Sequence, residues 1–481
     1  MSPEVQSKIS GDISTVGSNA PRSGPRQRIN LLDNRVVAGI MRSKWYPGVV
    51  QVPVLIGSVF IVYELLAGPL NADENFGATV MWVLWWSILP IMLLFVGRFW
   101  CSICPFGLMS DLVQRLVGAN REVPKFLRRN AMWIVIGVFL VVTWMEHVWG
   151  LSESPRGSAA LLIGVTVGAV IFGAFYERRT WCRYVCFVGG LSSNYARVGM
   201  LELRGTKAST CTSCEVQACL KGGVAGEGCH MFEFPRAMDS SSQCDYCSGC
   251  VKNCPNDSIR LSPRLPAEEL WHVRRPHFDV GFLAMTIVGI VLLENMSMLP
   301  IWQSFLGGVA DQFGSDSDDL FTLTFAFIPT IAAPIVLLAL ASWLAGKCDG
   351  LSTKQNFARF GYSFIPFGIS VHIAHILFHL LAEGKSLAFS FSGMFGASHA
   401  GQSTAVVGPV GVKVIQYVLI VAGTALSLYT AYRMSGMSSR STQSAAGGSA
   451  PRLSLALNWA PILIMAVINA VLFSMPMAMV M

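Results

Sequence analysis

Charged residues are few in this chain: Asp, Glu, Lys and Arg make up 13% of 481 residues against 53% apolar residues, and the mean hydropathy is +0.52. A water-soluble globule of this length needs more polar surface, so a soluble class is excluded and a polytopic membrane protein is indicated. No C-x-x-C-H run occurs, which excludes covalent c-type haem at the motif level. There is no Gly-rich dinucleotide loop and no molybdenum-type domain, hence no recognisable catalytic cofactor fold. Nor is there a basic recognition helix; the net charge of +7 comes from Lys and Arg scattered among loops, which reads as membrane topology and not as nucleic-acid binding. Residues 1–30 lack an apolar h-region, so no cleaved signal peptide is expected, and residues 1–45 read as a disordered basic segment.

Apolar runs of about twenty residues, the length a bilayer core demands, recur at 48–70, 77–97, 131–151, 158–176, 279–299, 320–345, 361–383, 410–433 and 457–478. Lys and Arg crowd the N-terminal segment, the 98–130 connection and the 177–278 region, while the intervening loops carry acidic residues such as Asp311, Asp316, Asp318 and Asp319. The positive-inside rule then places the N-terminus and the 177–278 region in the cytoplasm of a bacterial inner membrane, and an odd helix count leaves the C-terminus periplasmic. The expected organisation is a four-helix membrane unit at 46–199, a soluble insert at 200–270, a second four-helix unit at 271–434, a flexible linker at 435–456 and a last helix at 457–481. Trp271–His277, with its aromatic and basic residues, is expected at the membrane interface.

The insert carries the most specific motif. Cys244, Cys247, Cys250 and Cys254, followed by Pro255, have the spacing C-x2-C-x2-C-x3-C-P, which is that of bacterial ferredoxins. Two-residue spacers aim three thiolates into one small volume while the fourth leaves toward a neighbouring cluster, so a second set is required. Cys211, Cys214, Cys219 and Cys229 supply it. Crossover would give one 4Fe–4S cluster to Cys211, Cys214, Cys219 and Cys254, and the other to Cys229, Cys244, Cys247 and Cys250. Zinc is the alternative that C-x2-C pairs allow, but eight cysteines in this order with a C-P ending favour iron. The fold class is therefore a polytopic α-helical membrane protein of about nine transmembrane helices with an inserted cytoplasmic ferredoxin domain for two 4Fe–4S clusters.

Two further cysteine pairs lie at the cytoplasmic ends of the second and fourth apolar segments, in GRFWCSICPFG and ERRTWCRYVCFVGG. Cys101 and Cys104, and Cys182 and Cys186, each follow a tryptophan and lie near Arg98, or Arg179 and Arg183, which would favour thiolates and a metal. Packing at helix ends is the plain alternative. Together with the insert, these hairpins resemble membrane-bound polyferredoxins of the NapH/NosR/CcoG type over residues 45–300. The resemblance implies electron transfer at the membrane, with the eight insert cysteines as cluster ligands and with members linked to quinol oxidation or to copper reduction. Two departures stand out: the first hairpin has C-x2-C-P where C-x3-C-P is usual, and the second has Phe187 in place of proline.

His372, His375 and His379 fall within about 60° of one helical face in the seventh apolar segment. Haem b ligation, a copper site, a proton relay to a quinone and polar packing between helices all fit such a stripe. His147 is the other histidine expected deep in a span, and Met475, Met477, Met479 and Met481 with His399 could form a soft surface for Cu(I). The chain so reads as a membrane-bound iron–sulfur electron-transfer protein working with the quinone pool and redox partner proteins. A cupric reductase or metalloenzyme-assembly factor, and a redox sensor or scaffold, are the alternatives.

Overall fold

The computed structural model describes residues 29–399, 401–442 and 450–475. The start of the expected N-terminal tail, part of the expected linker, and Met477, Met479 and Met481 lie outside the described residues. Nine helices among those described are long and apolar enough to cross a membrane: Gly48–Ala67, Phe76–Val117, Lys125–Trp149, Pro155–Phe175, Phe278–Ser297, Leu320–Asp349, Thr353–Ala382, Pro409–Ser435 and Arg452–Ser474.

The elements used below are α1 (Arg35–Arg42), α2 (Gly48–Ala67), α3 (Trp86–Val96), α4 (Pro105–Val117), α5 (Lys125–Trp149), α6 (Pro155–Phe175), α7 (Phe187–Tyr195), β1 (Leu201–Gly205), β2 (Ile259–Pro263), α8 (Phe278–Ser297), α9 (Pro300–Phe313), α10 (Leu320–Asp349), α11 (Thr353–Ala382), α12 (Pro409–Thr442) and α13 (Ala450–Ser474). The central helix is α11. A Ser352–Gln355 capping box starts it, and it packs on α3, α7, α8, α10, α12 and α13. Helix α8 is apolar around its whole circumference and buried from Val280 to Leu293 apart from Phe282, the pattern of a helix enclosed by others. Close approach comes from small residues: a Cβ on Gly361 would lie 2.6 Å from the Gly281 Cα, and one on Gly289 2.5 Å from the Ile331 carbonyl oxygen.

The insert is closed at its base by an antiparallel ladder that pairs Leu201 with Pro263 and Gly205 with Ile259. Its small core of Leu203, Tyr246, Val251, Ile259 and Leu261 is completed by Leu32 and Met41 from the N-terminal segment. The expectation of disorder through residue 45 is therefore corrected for 29–45. Asn34 caps α1 through Val36 N–H at 2.9 Å, the Asn30 Oδ1 accepts the Leu261 N–H at 3.1 Å, and Arg42 pairs with Asp257 at 2.9 Å. The physical reason is that Leu32 and Met41 cover apolar surface the small insert could not bury alone.

Two other expectations change. Residues 300–313, read as part of a loop, form α9, with Pro300 at its first turn and left-handed Gly314 closing it. Its face of Trp302, Leu306, Val309 and Ala310 is buried, a helical period hidden in the sequence by the aspartates that follow. The linker expected from residue 435 is helical as far as Thr442, and Ala450 onward is helical too, among the described residues.

Candidate functional site

The two cysteine hairpins have the same construction. In each, the second cysteine stands just before a helix in extended backbone: Cys104 at φ −59°, ψ 129° before α4, and Cys186 at φ −63°, ψ 117° before α7. A following proline enforces this conformation at Cys104. At Cys186 the Gly189 N–H, 3.3 Å from Sγ, holds it instead, so Phe187 in the proline position leaves the geometry intact. Each hairpin also has an arginine three residues before its first cysteine and a glycine three after its second: Arg98 and Gly107, then Arg179 and Gly189.

These residues engage reciprocally. Arg98 donates to the Cys182 carbonyl of the other hairpin at 3.2 Å, and Arg179 donates to the Cys101 carbonyl at 3.0 Å. The glycines make the room: a Cβ on Gly107 would lie 2.0 Å from the Arg179 guanidinium, and one on Gly189 3.1 Å from that of Arg98. Both arginines are 1% exposed, and Arg179 is paired with Asp111 at 2.7 Å. Cys101, Cys104, Cys182 and Cys186 come within electrostatic reach of one another as a result. Arg179 and Arg98 do act to lower the Cys182 thiol, but burial outweighs them and pushes it up, and burial pushes Cys186 well up.

In the insert, Cys211, Cys214, Cys219 and Cys254 line one pocket, and Cys229, Cys244, Cys247 and Cys250 line another. Each run thus sends one cysteine to the other's cavity. Backbone at φ +59° for Tyr246 and +64° for Ser248 turns the loop between thiols, and +50° at Gln217 does so in the first run. Among the described residues no three cysteine sulfurs lie within 4.8 Å of one another. The group of three potential ligands that does lie within 4.8 Å, among the described residues, is His230, Asp245 and Cys247. Burial raises the Cys219 thiol to about 11 and the Cys229 thiol to about 12, so metal would displace protons as it binds.

One guanidinium joins the two cysteine regions. Beyond the Cys182 carbonyl, Arg98 donates to the Cys101 Sγ at 3.2 Å, the Ser242 carbonyl at 3.1 Å and Gln243 Oε1 at 2.7 Å, and Ser242 and Gln243 lead directly into Cys244. Asp245, inside that run, meets His230 Nε2 at 2.5 Å and accepts the Cys247 N–H at 3.3 Å. Burial alone would raise its carboxyl, but His230, Arg179 and Arg98 hold it well below the usual range. Gly97, at φ +59°, leaves space for the Tyr246 ring, whose hydroxyl donates to the Leu201 carbonyl at 2.8 Å. Sequence reading named Arg98 and Arg179 only as nearby charge and missed Asp245 and His230; the repeated R-x2-C and C-x2-G spacing was the available signal.

In the helical bundle each histidine of the α11 stripe has a protein partner at Nδ1: Tyr195 at 3.1 Å for His372, Asn295 at 2.8 Å for His375 and Glu383 at 3.1 Å for His379. His147 packs apart from them, against Trp302 and Phe327. His399 stacks on Phe389 and bonds Ser392 at 2.7 Å. The expected interfacial Trp271 is buried, bonded to Thr430 and covered by Arg433.

Two segments, 78–124 and 159–204, match a family model described as a 4Fe–4S binding domain. They contain Cys101, Cys104, Cys182 and Cys186 and none of the insert cysteines. The chain is similar to YccM of Escherichia coli K12, named as a candidate electron transport protein, with 24% identity over 277 residues covering 52% of this chain and 72% of that one. It is also similar to an uncharacterised protein of Methanocaldococcus jannaschii, 25% identical over 185 residues, 37% of this chain and 69% of the relative. No solved structure matches. Fold and site together define a mostly helical protein with nine helices able to cross a membrane, among the described residues, and with 4Fe–4S binding segments.

Proposed function

We propose that this chain is a membrane-embedded iron–sulfur electron relay. Cys211, Cys214, Cys219 and Cys254 hold one 4Fe–4S cluster, Cys229, Cys244, Cys247 and Cys250 a second, and Cys101, Cys104, Cys182 and Cys186 a third centre at the membrane boundary. When bound, such clusters take up and release single electrons. The chain's residues supply the rest: thiolates fix position, burial excludes water, and Arg98 and Arg179 offset the negative charge that four thiolates bring to a dry site. The supporting observation is the Arg98 guanidinium, which touches Cys101 of one site and the loop entering Cys244 of another.

The distribution of Lys and Arg supports a bacterial inner-membrane protein with the N-terminus and insert cytoplasmic and the C-terminus periplasmic. Quinone in the membrane and a redox partner protein are the proposed exchange partners. The variants Cys214→Ala, Cys250→Ala and Cys101→Ala test the assignment by iron analysis and EPR during stepwise reduction of protein purified without oxygen. Each is expected to lose one reducible signal and about four iron. Full iron in Cys250→Ala would refute the ligand set.

A further inference from the structure

The histidine stripe of α11 lies outside the three four-cysteine sites, yet it places several titratable groups in the interior of an apolar bundle. Polar glue between helices would leave each buried polar atom paired. Here His372 Nε2, Glu294 Oε2 and Glu383 Oε1 are buried without a hydrogen-bond partner, and His372 and Glu383 are 2% and 3% exposed. From His372 to Glu383 the helix rises about 16 Å, roughly half of a bilayer core.

Hydrogen bonds outside the stripe fix the ring of His375. Asn469 Nδ2 donates to the Met465 carbonyl at 2.9 Å, so its Oδ1 faces Asn295 and accepts from Asn295 Nδ2 at 3.0 Å. That leaves Asn295 Oδ1 as acceptor for His375 Nδ1–H at 2.8 Å. The other nitrogen, Nε2, must then present its lone pair, and it faces Glu294 Oε2 at 3.8 Å. A carboxyl oxygen and an imidazole lone pair thus face one another within the span, a pair that only a shared proton can satisfy. One turn on, the His379 ring centre is 5.3 Å from that of His375, and His379 Nδ1 meets Glu383. Glu383 is an electrostatic neighbour of Asp73, whose carboxyl is raised by burial and then by Glu383 and Glu74. Asp73 and Glu74 reach solvent at this end of the bundle.

The inner end of the stripe meets the cysteine hairpins. Tyr195, bonded to His372, is the last residue of α7, the helix that Cys186 caps. On its other side His372 contacts Trp86 at 6.0 Å between ring centres, followed by Trp85 at 5.8 Å and Trp100 at 5.5 Å, and Trp100 precedes Cys101.

We infer that Glu383, His379, His375 with Glu294, and His372 form a proton path leading from the face opposite the iron–sulfur insert to the middle of the bundle, where it compensates charge when the chain is reduced. The inference rests on the electron-relay reading. One electron from an external reductant enters through the insert; one proton from the opposite face passes along the stripe and comes to rest on His372 Nε2, with Nδ1–H donating to Tyr195. Only O–H and N–H bonds break and form, and water bridges the gaps between rings.

The test is the full chain in phosphatidylcholine vesicles with the pH dye pyranine trapped inside and dithionite, which does not cross the membrane, added outside. Bleaching of the visible absorbance reports reduction of molecules whose insert faces outward, and the dye reports protons drawn from the lumen. Wild-type protein is expected to bleach and to raise lumenal pH. His375→Gln, which keeps a donor for Asn295, and Glu383→Gln should bleach with unchanged iron content and lose at least tenfold of the lumenal uptake. Bleaching without lumenal uptake in the wild type, or undiminished uptake in both variants, overturns the proton path. Absence of bleaching overturns the electron-relay reading and the path with it.

Discussion

At the scale of single residues, the insert is held by buried charge compensation. Glu269 meets Arg264 at 2.5 Å, Arg204 at 3.3 Å, the Ser241 N–H at 2.8 Å and Ser240 Oγ at 2.6 Å. Burial would raise this carboxyl, but Arg264, Arg204 and Arg197 hold it down to about 2. A carboxyl lowered by folding contributes stability that is complete above its unfolded value of about 4.3 and is lost as pH falls from there toward 2. Acid titration of the visible absorbance should therefore show loss of the insert in that window. Glu269→Gln should remove this dependence and destabilise the insert at neutral pH by roughly 3 kcal/mol, because three arginines lose the carboxylate they share. Arg179→Lys is expected to fail as a conservative change: one ammonium cannot serve both Asp111 and the Cys101 carbonyl, so the Cys101 signal should broaden or vanish in EPR while the insert signals persist. The spacing of the twelve cysteines in the three sites was readable from sequence. The reciprocal reach of Arg98 and Arg179 was not, because it depends on two glycines whose meaning appears only when the hairpins face each other.

At the scale of elements, apolar length identified the nine helices able to span among the described residues, because a bilayer-sized run leaves little choice of structure. Elements that depend on tertiary partners were harder to read. Helix α1 is short and gains its place from Leu32 and Met41 on the insert core, and α9 carries its helical period next to an acidic stretch. The contact of α8 with α11 depends on Gly281 and Gly361, where backbones approach too closely for a side chain. Gly361→Val would drive its Cβ into the Gly281 backbone and should cost about 3 kcal/mol. The same change should shift His375 away from Asn295. Thermal unfolding in detergent reads the first effect, and the lumenal proton assay the second. A valine variant as stable as the wild type would contradict the packing described.

At the scale of the whole molecule, the chain places a cysteine-rich insert and two interlocked cysteine hairpins at one end of a helical bundle and a line of histidines and carboxylates toward the other. Arg98 is the junction of insert and hairpins, and His372 is where the hairpin elements α3 and α7 meet the polar stripe. The central claim, that three four-cysteine sites carry electrons in one chain, is tested most directly by anaerobic purification of the intact protein. Iron, sulfide, zinc, copper and haem are quantified together, and EPR follows reduction at stepped potentials. The account requires about twelve iron with matching sulfide and three signals that appear on reduction. Zinc in place of iron, or iron that gives no signal at any potential, would contradict it.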